Sequence, residues 1–220
     1  MSLQDKLDAF KADFEKKAPP EAIAVFHKST DELIAGRQAE RALKAGDHAP
    51  AFVLPDADGG KVSSKDLLAK GALVVTFYRG AWCPYCNMDL QALESAAADI
   101  RALGSTLVAI SPQTPANSRK SQRDNHLSFP ILSDHGGEVA ASFGLRWRLQ
   151  DDLKKIMSSF GVDLAAFNGE PSWTLPMPAR YVIAQDGTIA YAEVNPDYTR
   201  RPDPSELTPT LRRLREAAAA

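Results

Sequence analysis

Cysteine is scarce: Cys83 and Cys86 are the two thiols among 220 residues. A disulfide between them closes so short a loop that it barely constrains the unfolded chain, so these thiols do not staple a fold. They are left for chemistry, and free thiols of that kind persist in a reducing compartment, so a cytoplasmic setting is expected. Positive charge is not in excess either, since 26 Lys and Arg face 28 Asp and Glu for a net charge of -2. That balance supplies no cationic field for phosphates, and nucleic acid is not expected as a partner. No apolar run nears the ~20 residues of a membrane span. Met1 to Lys17 alternates charged and apolar residues instead of forming a signal-peptide core, so no membrane association is expected. The four histidines, His27, His48, His126 and His135, are scattered, and there is no second cysteine pair. A metal site is therefore not expected, and Asn87 stands where a haem-attachment motif needs histidine.

What is present suffices for one substantial core, with 44% apolar and 25% charged residues. Leu3, Leu7, Phe10 and Phe14 recur at helical spacing, and Ala18-Pro19-Pro20 ends that helix. A second helix carries Ile23, Phe26, Thr30, Leu33 and Ile34 on one side. Both apolar faces must be buried, on the main domain or on a second subunit, so a homodimer is one expectation. The domain division is 1–44 for this helical extension and 45–220 for the main domain, the break lying at Gly46-Asp47-His48-Ala49-Pro50.

In the main domain, Phe52-Val53-Leu54 reads as a short strand, and the β-branched and aromatic run Leu73–Tyr78 as a central strand covered on both faces. A long helix is predicted from Asn87 to about Leu103, then a strand over Leu107–Ile110, a helix around Arg119 to Asn125 and a strand over Phe129–Asp134. The alternation predicts an α/β fold whose sheet is largely parallel there. Helices are expected at Glu138–Phe143 and Leu149–Phe160, and an irregular excursion over Gly161–Pro178. Tyr181-Val182-Ile183 and Ile189-Ala190-Tyr191 form a predicted hairpin, Leu207 to Glu216 a closing helix, and the last four alanines are expected to fray.

The thiolate is the reactive form of cysteine, and a helix N-terminus lowers a thiol's pKa through its free N–H groups and its dipole. Cys83 follows the central strand and opens the long helix, with Pro84 suited to the first helical position. Cys86 lies about one turn further in on the same face, which suggests an exposed attacking thiol and a shielded resolving one. Arg79 can add positive potential beside Cys83, and Trp82 and Tyr85 an apolar rim that controls access.

The segment Trp82-Cys83-Pro84-Tyr85-Cys86 resembles the thioredoxin superfamily. Its flanks, Ala45 to Pro55, the strand into Arg79-Gly80 and Leu127 to Asp134, are similar to the peroxiredoxin family of the alkyl-hydroperoxide-reductase and thiol-specific-antioxidant type. The resemblance covers about residues 45 to 195. It implies a thioredoxin-like fold with a central mixed sheet flanked by helices. Pro178, in the run to Ile183, stands like the proline that such proteins hold in cis opposite the active cysteine; its isomer is not legible here. Thr76 and Gly80 occupy the places where the family carries proline and a peroxide-holding threonine, and Thr114 or Arg180 are candidates to replace that hydroxyl.

What the resemblance implies is a thiol peroxidase without metal or organic cofactor. Cys83 attacks a peroxide and becomes a sulfenic acid, Cys86 condenses with it, and thioredoxin or glutathione reduces the disulfide. Trp82, Pro84, Tyr85, Pro178 and Arg180 would line the substrate side. Two other readings stand beside it: a thiol–disulfide oxidoreductase that scarcely uses peroxide, and a redox-sensing module whose partner docks on residues 3 to 34.

Overall fold

The computed structural model describes residues 1–219. Helix α1 spans Leu3–Lys17 behind a reciprocal cap: Asp5 N–H donates to Ser2 Oγ at 3.1 Å and Ser2 N–H to Asp5 Oδ2 at 2.8 Å. Helix α2, Pro20–Ala35, opens on Pro20, whose missing N–H costs nothing in a first turn. Strands β1 (Val53–Pro55) and β2 (Lys61–Ser63) pair antiparallel, and α3 (Ser64–Leu68) leads into β3 (Ala72–Phe77). There follow α4 (Pro84–Ala102), β4 (Ser105–Ser111), α5 (Pro115–Asp124) and β5 (Ile131–Ser133). A side arm contains α6 (Glu138–Ser142), β6 (Arg146–Arg148), α7 (Asp151–Ser159), α8 (Leu164–Asn168) and β7 (Thr174–Pro176). The chain closes with β8 (Ala179–Ile183), β9 (Ile189–Val194) and α9 (Thr208–Ala219).

The main sheet has the order β5-β4-β3-β8-β9, with β3, β4 and β5 parallel and β8 antiparallel to both of its neighbours, β3 and β9. Central β3 is buried throughout, and its alternation divides two cores. Leu73, Val75 and Phe77 pack with Val108, Ile110 and Phe143, whereas Val74 packs with Leu90 and Leu93 of α4. The unbroken apolar run of the sequence is thus a strand with a core on each side. The β8–β9 turn needs glycine at Gly187, where φ is +88° and an added Cβ would fall 2.3 Å from the His48 ring.

Leu3 and Leu7 of α1 join the α4 core, and Phe26 of α2 packs on the small cluster of Leu153, Met157 and Leu164. Leu3, Leu7 and Phe26 thus lie on the chain's own main body, while Ile34 near the end of α2 remains exposed. Several boundaries differ from expectation. The long helix starts at Pro84, the first helical position that Cys83-Pro84 offers, ahead of the helix-forming stretch from Asn87, and α5 starts at Pro115, where Thr114 Oγ1 accepts from Asn117 N–H at 3.4 Å. The supposedly irregular stretch 161–178 contains α8 and β7, and β7 pairs with β6 through Trp147 and Leu175. That ladder is long-range, and no local pattern announces it. Three of the last four alanines continue α9, while Ala220 lies outside the described residues. Among the described residues no helix is long and apolar enough to cross a membrane.

Candidate active site

The chain leaves β3 at Phe77, turns through Tyr78 to Trp82, and enters α4 with Cys83 as its N-cap. At Ala81 both the amide and the carbonyl of the turn are anchored by side chains. Its N–H donates to Gln113 Oε1 at 2.9 Å, and its carbonyl accepts from Asn87 Nδ2 at 2.9 Å. Gln113 in turn donates to the buried Tyr78 hydroxyl at 2.7 Å. Gly80 fits the turn with φ +153° against the Trp82 indole, where a Cβ would meet Nε1 at 2.5 Å.

Three donors converge on Cys83 Sγ. Arg79 Nη2 lies 3.2 Å away, the Cys86 backbone N–H 3.4 Å and the Cys86 thiol 2.8 Å. Burial opposes a charge on Cys83, but the Cys86 hydrogen bond and the nearby Arg79 and Arg201 guanidiniums outweigh it and hold the thiol well below its ordinary range. Burial pushes Cys86 the other way, and the hydrogen bond to Cys83 and the negative charge there add to the rise. The pair is thus divided into a thiolate and a thiol.

Arg79 is itself clamped, its guanidinium 4.9 Å from the Trp82 ring and 3.8 Å from that of Tyr198. Tyr85 stacks edge-on against Tyr198 at 5.5 Å and against Phe10 of α1 at 5.2 Å. Phe14, Phe26 and Phe160 continue the aromatic wall around a cavity of about 230 Å³ that also reaches Arg79, Trp82 and Pro84. Cys83 and Cys86 are both fully buried. The expected exposed attacker is thus corrected: the helices of the N-terminal extension, whose docking place has no local signature, bring aromatic rings over the junction.

Other sequence-predicted residues fall in two groups. Pro178 is trans, since no described peptide bond is cis, and it lines a small cavity with Arg79 and Tyr198. Arg180 is not directed at Cys83. Its guanidinium forms a buried ion pair with Asp89 and donates from Nη1 to the Pro202 carbonyl at 3.0 Å. Thr114 is occupied as the α5 cap. Sequence reasoning missed Tyr198, Asp89 and Arg201. Arg201 Nη2 lies 3.5 Å from Cys86 Sγ, and its Nε lies 3.4 Å from Asp89 Oδ2. Asp89 did leave a trace, as a carboxylate one turn after Cys86 on the face that also buries Leu90 and Leu93.

Residues 45–192 match the AhpC/TSA family. Over 153 residues the chain is 37% identical to a Mycobacterium tuberculosis protein described as a peroxiredoxin, covering 70% of this chain and 86% of that one. Peroxiredoxin Bcp of Escherichia coli is 34% identical over 103 residues, 47% of this chain and 65% of the relative. The solved structure of peroxidoxin BcpB from Mycobacterium tuberculosis is similar in fold, with a TM-score of 0.61 at 23% identity over 79% of this chain and 97% of that one. Since the match takes in β3 to β8, most of β9, the junction and both thiols, this chain belongs to the AhpC/TSA family and is a peroxiredoxin-like thiol peroxidase or oxidoreductase.

Proposed function

We propose that the chain reduces hydrogen peroxide or a small organic hydroperoxide with Cys83 as the attacking thiolate and Cys86 as the resolving thiol. The observation that carries this reading is the convergence of Arg79 Nη2, the Cys86 N–H and the Cys86 thiol on Cys83 Sγ. The thiolate attacks one peroxide oxygen, the O–O bond breaks, and the departing oxygen takes a proton as water or alcohol while Cys83 becomes a sulfenic acid. Cys86 then displaces hydroxide from that sulfur, giving a Cys83–Cys86 disulfide and a second water. A thioredoxin-type dithiol or glutathione restores both thiols through a mixed disulfide. Arg79 steadies the thiolate and the charge that develops on the peroxide, and Trp82, Pro84, Tyr85 and Pro178 shape the approach. Such a cycle suits a reducing compartment such as the cytoplasm. In this reading 1–44 is a helical extension and 45–220 the peroxidase domain.

A thiol–disulfide oxidoreductase remains the second reading, favoured by Gly80 in the place of the family's threonine. Mixing pre-reduced protein with one equivalent of hydrogen peroxide, and following thiol loss and tryptophan fluorescence, separates the two. Oxidation far faster than a free thiol, abolished in Cys83→Ser and stopped at sulfenic acid in Cys86→Ser, is expected. Oxidation at the free-thiol rate overturns the peroxidase reading and leaves disulfide exchange.

A further inference from the structure

The second thiol has a guanidinium of its own. Arg201 Nη1 donates to the carbonyls of Tyr198 and Arg200 at 2.8 and 2.6 Å, Nε faces Asp89 Oδ2 at 3.4 Å, and Nη2 reaches Cys86 Sγ at 3.5 Å. Every edge of the fork is assigned, so its direction is fixed. Asp89 in turn sits between two arginines, taking Arg180 on Oδ1 and Arg201 on Oδ2. The segment that bears Arg201 is held from both sides. Gln4 of α1 donates to the Thr199 carbonyl at 3.3 Å and accepts from Arg201 N–H at 3.1 Å, and Arg180 Nη1 donates to the Pro202 carbonyl at 3.0 Å. Gln4 and Arg201 both lie outside the family-matched residues 45–192.

This arrangement solves a problem that Cys86 poses. Resolution needs a thiolate at a sulfur with no access to water, and opening of the disulfide at Cys83 expels that same thiolate. Arg79 is engaged with Cys83. Among Arg79, Arg180 and Arg201, three buried guanidiniums, Asp89 is the one fully buried carboxylate; Glu193, across from Arg180 on β9, is partly exposed. The positive charge in excess lies beside the thiols.

We propose that Arg201 is a catalytic residue of the resolving half of the cycle, stabilising the Cys86 thiolate as it attacks the Cys83 sulfenic acid and again as it leaves the opened disulfide, with Asp89 as its positioning residue. The proposal rests on the assignment of Cys83 as attacker and Cys86 as resolver. In resolution the Cys86 S–H proton and the sulfenic hydroxyl leave as water, the S–O bond breaks and the S–S bond forms. In reduction an external thiolate bonds to Cys83 Sγ, and the S–S electron pair departs on Cys86. The charged or titratable groups facing Cys86 are Cys83, Arg79, Arg201 and Tyr78. Removing Arg201 takes one of two cations from that set.

The test uses the full chain as wild type, Arg201→Met and Arg201→Lys, with two readouts. Stopped-flow fluorescence with hydrogen peroxide separates sulfenic acid formation from resolution, and a dimedone trap reports the sulfenic acid that persists. Opening of the preformed disulfide by dithiothreitol is followed independently. In Arg201→Met, resolution and opening are expected to slow about tenfold or more, as one pKa unit implies. The pH of half-maximal resolution should rise, and sulfenic acid formation should slow much less, because Arg79 still serves Cys83. Arg201→Lys should recover most of the loss. Resolution and opening at wild-type rates in Arg201→Met overturn the proposal, as does equal slowing of all phases without rescue by lysine. A wild-type chain that ignores peroxide would sink the peroxidase reading alone, because disulfide opening by dithiothreitol still judges Arg201.

Discussion

Replacing Arg79 by methionine isolates the strongest external support of the Cys83 thiolate. The methionine keeps an apolar side chain between Trp82 and Tyr198, and the Arg79 Nε makes no hydrogen bond, so one hydrogen bond is lost together with the cation–π contacts to the two rings. That hydrogen bond is the 3.2 Å approach of Nη2 to Cys83 Sγ, in a site closed to water. A hydrogen bond to a charged group contributes about 1.5–3 kcal/mol. At about 1.36 kcal/mol per pKa unit, the Cys83 titration should move up by about one to two units. It should not return fully to an ordinary thiol, because the backbone N–H of residue 86 and the Arg201 guanidinium remain. Ultraviolet absorbance of the thiolate reads this directly in a Cys86→Ser background, where Cys83 is the single thiol. Below the new midpoint, oxidation by peroxide should slow about ten- to hundredfold. Arg79→Lys should fall between the two. A midpoint unchanged within about 0.3 units would refute the argument and assign the shift to the helix N-terminus and Arg201.

Asp89→Ala leaves Arg180 and Arg201 buried without their shared carboxylate, and should cost about 3–5 kcal/mol in urea unfolding; a loss under about 1 kcal/mol would show that water reaches both guanidiniums. Gly80→Thr, which restores the residue type of the family pattern, should not raise peroxidase activity. Its Cβ would enter the Trp82 indole at a φ of +153°, so a loss of about 1–3 kcal/mol and altered tryptophan emission are expected, and a stable, faster enzyme would contradict this. The depressed Cys83 pKa stabilises the reduced fold fully above the unfolded thiol value of about 8.5, and that gain is lost as pH falls through the lower folded value. The unfolding free-energy difference between reduced wild type and Cys83→Ser should therefore shrink toward acid pH, and a pH-independent difference would refute the assignment.

Where the sequence was legible, a local cause produced the structure. The run from Leu73 to Phe77 reads as buried because it is β-branched and apolar at consecutive positions, and the two cores on β3 require both parities. Cys83 reads as a helix cap because Pro84 follows it, and Arg79 lies near enough along the chain for its reach to Cys83 to be anticipated. Arg180 is the instructive failure. Its place on β8, opposite Thr76, puts it on the face of the sheet that α4 covers, so it meets Asp89 and supports the far side of the site. Its distance along the sequence from a motif carried no information about which turn of α4 it would touch.

Apart from Asp89, which lies on α4 itself, the pieces that escaped the sequence share one origin: they come from outside the strand–helix unit that carries the thiols. Phe10 and Phe26 arrive on α1 and α2, and Tyr198 and Arg201 on the segment after β9. Hydrogen bonds of Gln4 tie these two ends of the chain together. The consequence is mechanical as well as electrostatic. Cys83 Sγ lies under the aromatic wall and does not line the cavity beside Trp82 and Tyr85, so a peroxide oxygen and a protein thiolate alike must pass that wall to touch it. Either reaction therefore requires an opening in the wall, whose contacts are those of α1 and α2 with Tyr85, Tyr198 and Phe160, whereas Cys83 caps α4. The same hydrogen bonds that keep Arg201 on Cys86 fasten α1 to the segment carrying Tyr198, so access to one thiol and the charge beside the other are linked through Gln4.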